Sequence, residues 1–408
     1  MAVAAAVTLG AATACSTMPP EPPATPLASA SPAPTTVSTT PIASPTSTRP
    51  APTPTPTPHP TATPRPTAGS VLARMPLAAR VGQLLMVGVP AAGSSDAALR
   101  QLGRYRVGGV ILTGRSHAGT AATAALTARV RTAVPGLPVL IATDQEGGAV
   151  QVLKGPGFPL MPSARSQGRL SPAELRARAR DWGGQLHAAG VRVDLAPVAD
   201  TVPAGAANPP IGAFGRQYGS DPATVAAHAA AFAAGLADAG VIPTAKHFPG
   251  LGRVSENTDV SSGVTDRVTT RTDAYLGPFR AVIRTGHPFV MMSSAVYSRI
   301  DPTRPAAFSS TVISGLLRHD LGFDGVVVSD DLGAARQVRS VPTGERAVRF
   351  VAAGGDLVLT VSPATLPAMF AALYDRAVRD PAFRAQVDRS AQRILLAKQR
   401  LGLVARDG

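Results

Sequence analysis

Eight short apolar runs punctuate the chain, at 81–89, 108–112, 138–143, 191–197, 241–245, 288–293, 325–329 and 356–360. The stretches between them are rich in Ala, Arg and Leu at helical spacing: 120–134, 172–189, 222–239, 273–285, 310–321 and 343–353, with a long amphipathic segment at 381–401. Strands that are apolar throughout, rather than at every second residue, are buried on both faces. Alternating with helices, they imply a parallel sheet covered by helices. Eight such units predict an α/β fold, a closed (β/α)₈ TIM-type barrel, with a doubly wound open sheet as the alternative. A barrel also predicts where chemistry sits, because its functional groups collect at the C-terminal ends of the strands.

The barrel accounts for residues 71–408 only. Residues 16–70 are dominated by Pro, Thr, Ser and Ala, and such a composition cannot bury enough surface to offset its ordering entropy. This stretch reads as a disordered, extended spacer. Ahead of it, residues 1–15 are small and apolar and end Ala12-Thr13-Ala14-Cys15, the pattern of a bacterial lipoprotein signal with Cys15 as the lipidated residue. Two departures are the missing basic residue before the apolar run and Ala12 where such signals usually carry Leu. The expectation is an extracytoplasmic, lipid-anchored monomer, with a secreted form as the alternative. Cys15 is the only cysteine, which excludes an intramolecular disulfide. No run within the body reaches the length of a membrane span. The net charge of +14 comes mostly from arginine, since only Lys154, Lys246 and Lys398 are lysines. A general preference for Arg explains this, and attraction to an anionic surface is the functional reading. Nucleic acid is disfavoured, because the arginines are scattered and aromatic residues are few.

Charged residues recur where strands should end: Asp144-Gln145-Glu146-Gly147-Gly148, the stretch from Asp194 to Asp200, Lys246-His247, Ser293-Ser294 and Ser329-Asp330-Asp331. Lys246 and His247 open the segment Lys-His-Phe-Pro-Gly-Leu-Gly, in which Pro249, Gly250 and Gly252 force a turn. Both side chains can donate to hydroxyls, and Asp144 can accept from two at once. Asp330 closes a buried strand, so its carboxylate is held beside a dry pocket, as covalent attack requires. A helix N-cap is the plain alternative for Asp330 or Asp331, and Asp331 is assigned that role. No HExxH pair and no nucleotide-type Gly-rich loop is present, so neither a metal nor a cofactor is expected.

The segment 246–252 resembles the Lys-His-Phe-Pro-Gly-His-Gly motif of bacterial exo-β-N-acetylglucosaminidases in glycoside hydrolase family three. The resemblance covers roughly residues 74–400, and the short body favours the branch that can be a lone barrel over the branch that usually adds a second α/β domain. It implies that Asp330 is the nucleophile, that Asp144 binds sugar hydroxyls, and that Arg216, in a loop like the family's, contacts substrate. A surface salt bridge is the plain alternative for Arg216. The family's arginines after Asp-x-Glu-Gly-Gly are replaced here by Ala149-Val150-Gln151-Val152-Leu153-Lys154. The family also places an Asp-Ser/Thr-His acid/base dyad four residues after the motif, whereas this chain reads Asn257-Thr258-Asp259, with Leu251 replacing the motif's histidine. Asp259 can serve as a carboxylic acid if its pKa is raised, with Asn257 positioning it; a simple turn is the alternative. The implied function is retaining hydrolysis of terminal β-linked N-acetylglucosamine from cell-wall fragments, with hydrolysis favoured over phosphorolysis. The competitors are a β-glucosidase of the same family and a non-catalytic sugar-binding lipoprotein.

Overall fold

The structure is a computed structural model and describes residues 68–404. The expected signal, the Cys15 anchor and the spacer up to residue 67 lie outside the described residues. Eight parallel strands form the centre: β1 Leu85–Pro90, β2 Gly109–Thr113, β3 Leu140–Thr143, β4 Val193–Asp194, β5 Ile242–Phe248, β6 Phe289–Met292, β7 Val327–Ser329 and β8 Val358–Thr360. Each pairs with its neighbour in chain order, and β1 also pairs with β8. A parallel bridge between Val328 and Leu357 links β7 to β8 and completes the ring. The sheet is therefore a (β/α)₈ barrel and not an open doubly wound sheet. Its strands are buried almost without interruption, as continuous apolar runs require.

A helix follows every strand. In order these are α1 Asp96–Arg104, α2 Gly119–Ala133, α3 Pro172–Ala188, α4 Pro222–Asp238, α5 Gly277–Ile283, the π-helix Thr311–Asp320, α6 Thr343–Ala352 and α7 Leu366–Arg379, after which α8 Pro381–Arg400 closes the body. Three starts carry the same local signal. Ser171, Asp221 and Asp380 accept hydrogen bonds from N–H groups of the first turn, and a proline follows each of them at the first helical position. Among the described residues, no helix is long and apolar enough to cross a membrane.

Several expected boundaries shift. Residues 81–83 end a helix, Leu77–Gln83, so the first strand begins only at Leu85. The run 191–197 pairs only at Val193–Asp194. The stretch 273–285 divides into a 3₁₀ turn, Ala274–Leu276, and α5, where Pro278 supplies no N–H for a continuous helix. Small strands absent from the reading cover the C-terminal end of the barrel: the hairpin Gln145–Gly147 with Val150–Gln151, and a sheet of Thr265–Asp266, Val296–Tyr297 and Asp301–Pro305.

Candidate active site

The C-terminal ends of the strands surround a cavity of ≈ 410 Å³. Its walls include Asp144, Arg216, Lys246, His247, Asn257, Asp259 and Asp330, so each body residue given a catalytic or substrate-binding role in the sequence lines one pocket. Asp331, Leu251 and Val361 complete part of the rim.

Lys246 and His247 lie within β5, which runs on to Phe248 instead of stopping before them. Lys246 is 2% exposed, with its Nζ 2.6 Å from Asp144 Oδ1 and 2.6 Å from Glu146 Oε1. Arg216 is no surface salt bridge. Its guanidinium meets Glu146 in a fork, Nε to Oε2 at 2.8 Å and a terminal nitrogen to Oε1 at 2.7 Å. The four residues form a charge-balanced cluster at the cavity wall. Burial works to raise the Glu146 pKa, but Arg216 and Lys246 outweigh it and hold the carboxylate down at about 2. Burial works against the Lys246 charge, yet Asp144 and Glu146 win and raise its pKa above the usual value. Both cations are therefore charged and already oriented before any ligand arrives.

His247 is held by a residue that the sequence did not single out. Its Nδ1 lies 2.7 Å from Asp200 Oδ2, and its backbone N–H also points to that carboxylate. A carboxylate only accepts, so Nδ1 carries the proton and Nε2 is left for the pocket. Asp200 Oδ1 also accepts from Leu251 N at 2.7 Å, which ties down the turn after β5. Glu146 and Asp200 both stood among the acidic strand ends in the sequence. Their partners are 70 and 47 residues away in the chain, so no local pattern marked them.

Asp330 follows β7, and its backbone N–H donates to Met292 O on the neighbouring strand. No helix starts at Asp331, so the expected N-cap is replaced by a turn that its oxygens close, accepting from Gly333 N, Ala334 N and Val361 N at 2.9–3.0 Å. Asp330 is thereby released from that duty, apart from a bond from Asp331 N to its Oδ1. Asp259 sits at the cavity mouth, on an exposed loop position whose carboxyl lines the pocket. Partial desolvation, reinforced by repulsion from Asp330, raises its pKa; His247 and Arg216 oppose the rise without cancelling it. Asn257 Oδ1 accepts from Asp259 N at 2.9 Å. The segment is thus a side-chain-closed turn, and Asn257 holds the backbone of Asp259, not its carboxyl.

Residues 76–397 match the glycosyl hydrolase family 3 N terminal domain. The chain belongs to glycosyl hydrolase family 3. The structure of a β-N-acetylhexosaminidase from Beutenbergia cavernae is 51% identical, with a TM-score of 0.78 and coverage of 80% of this chain and 99% of that one. A family 3 β-N-acetylglucosaminidase from a Paenibacillus species is 34% identical, with a TM-score of 0.75 over 82% of this chain and 64% of that chain. A β-hexosaminidase from Stenotrophomonas maltophilia is 34% identical over 316 residues, 76% of this chain and 92% of its own length. In this family 3 chain, the segment Asn257-Thr258-Asp259 brings Asp259 to the same pocket as Asp330.

Proposed function

We propose that this family 3 protein is a retaining exo-β-N-acetylglucosaminidase that releases terminal β-linked N-acetylglucosamine from cell-wall fragments outside the cytoplasm. The single observation that carries the reading is the pair of carboxyls on one small pocket: Asp330 at a buried strand end, and Asp259 with its pKa raised. Hydrolysis of a glycoside needs one carboxylate to attack and one carboxylic acid to protonate the leaving oxygen. Asp330 attacks the anomeric carbon as Asp259 gives its proton to the departing oxygen, and a glycosyl-enzyme forms through an oxocarbenium-like state. Asp259, now ionised, takes a proton from water; the water attacks the same carbon and frees Asp330. Asp144 and the unprotonated His247 Nε2 accept from sugar hydroxyls, while Arg216 and Lys246 donate to the sugar or its acyl group. The β-hexosaminidase relatives support the substrate class, and a cavity of ≈ 410 Å³ suits one terminal sugar ring. The lipoprotein-like start ending in Cys15 supports the location.

Hydrolysis of 4-nitrophenyl N-acetyl-β-D-glucosaminide tests the proposal. Asp330→Ala is expected to fall to background. Asp259→Ala should lose roughly 10²–10⁴-fold and recover with azide, which attacks the glycosyl-enzyme without base help. Proton NMR of the first-formed sugar should show the β-anomer. An α-anomer would refute retention, preference for the matching glucoside would refute the sugar assignment, and no turnover of either by folded protein would make the pocket a binding site.

A further inference from the structure

The loop that carries Asp259 is clasped by the loop that follows Asp330. Gln337 makes the clasp. Its side-chain Oε1 accepts from Val264 N at 2.9 Å and its Nε2 donates to Val264 O at 3.1 Å, a two-way bond that mimics a strand pairing. Its backbone N–H donates to Thr258 O, and the preceding N–H, from Arg336, donates to Asp259 O, both at 3.1 Å. One short stretch therefore grips both ends of 258–264.

The gripping loop is itself stiff. Asp331 closes its first turn. Arg346, 6% exposed, donates to the carbonyls of Leu332, Gly333, Arg339 and Val341 from inside it. Gln337 is largely buried, so its amide has little water to fall back on.

We infer that Gln337 is a positioning residue for the reaction: by tying Val264 and Thr258 to the loop after β7, it sets where the Asp259 carboxyl stands relative to Asp330. This inference rests on Asp259 being the acid of the proposed hydrolysis. Among the described residues, no other side chain joins the two loops by a paired donor and acceptor. Among the described residues the Asp259 carboxyl has no hydrogen-bond partner, so its aim depends on its backbone.

The test is the leaving-group dependence of kcat/KM in the full chain. Phenyl, 4-nitrophenyl and 2,4-dinitrophenyl N-acetyl-β-D-glucosaminides need progressively less protonation. Gln337→Ala is expected to lose about 10–100-fold on the phenyl substrate and less than about 3-fold on the dinitrophenyl one. Gln337→Glu keeps the acceptor for Val264 N and should fall between parent and alanine; it carries the same comparison if the alanine protein does not fold. An equal loss on all three substrates, or no loss on any, overturns the proposal. Asp259→Ala run beside it separates the two layers. A steep dependence there with a flat one in Gln337→Ala overturns the positioning role alone. A flat dependence in Asp259→Ala overturns the acid assignment and the positioning role together.

Discussion

At Asp194 the barrel buries a carboxyl beside the charged cluster, with Oδ1 accepting from Gln145 N at 2.9 Å and Oδ2 without a hydrogen-bond partner. Burial, with repulsion from Asp144 and Glu146, outweighs the Gln145 N–H and Lys246 and lifts its pKa to about 8. The folded protein therefore holds a proton there that the unfolded chain releases near its ordinary value of 3.8. Stability from this group is full below that value and is lost as pH rises toward about 8. Asp194→Asn keeps the shape of the protonated form and cannot ionise. Thermal melts should show it gaining on the parent between pH 5 and pH 8, by on the order of 2 kcal/mol; parallel curves would refute the shift. The same residue scale explains how Asp330 and Asp331 divide their work. Two adjacent carboxyls close one strand, and a turn claims the second where the sequence suggested a helix N-cap.

Strand β5 and the turn after it show what one element carries. The chain turns at Pro249-Gly250, as Pro and Gly predict, and Gly250 has φ +132°, outside the reach of most side chains. Gly252 serves a different purpose, since a Cβ there would overlap the Thr201 carbonyl. Close packing between the β5 turn and the loop after β4 thus excludes any side chain. Gly252→Ala should cost about 1–3 kcal/mol in urea melts and reduce activity, because the same turn is tied to Asp200 and His247; an unchanged midpoint would refute the overlap. Helix starts at Ser171, Asp221 and Asp380 were readable because cap, proline and apolar face lie within a few residues. The strand fragments over the barrel mouth were not. Thr265–Asp266 pairs with Val296–Tyr297 thirty residues away, and neither is long enough to show a period.

Across the whole molecule, the closing helix α8 returns to the N-terminal part of the body and buries Lys398 completely. Its Nζ donates to Gln83 Oε1 at 2.5 Å, and burial lowers its pKa to about 7. The cost of keeping it charged is full below about pH 7 and fades as pH rises toward the unfolded value of 10.5. Lys398→Met should therefore stabilise the protein at pH 6, by roughly 1–3 kcal/mol after the lost hydrogen bond, and by less at pH 9.5. Equal effects at both pH values would overturn this account. Amino-acid order alone set the alternation of strands and helices, the barrel class, and the strand ends where the pocket residues stand. Those depend on periodicity and on punctuation within a few residues, which any reading along the chain can follow. Only the closed ring decided that Glu146 balances Lys246 and Arg216, that Asp200 orients His247, and that Gln337 grips the loop of Asp259. Each of those pairs joins residues from separate strands or loops, and only closure of the barrel brings them within hydrogen-bond reach.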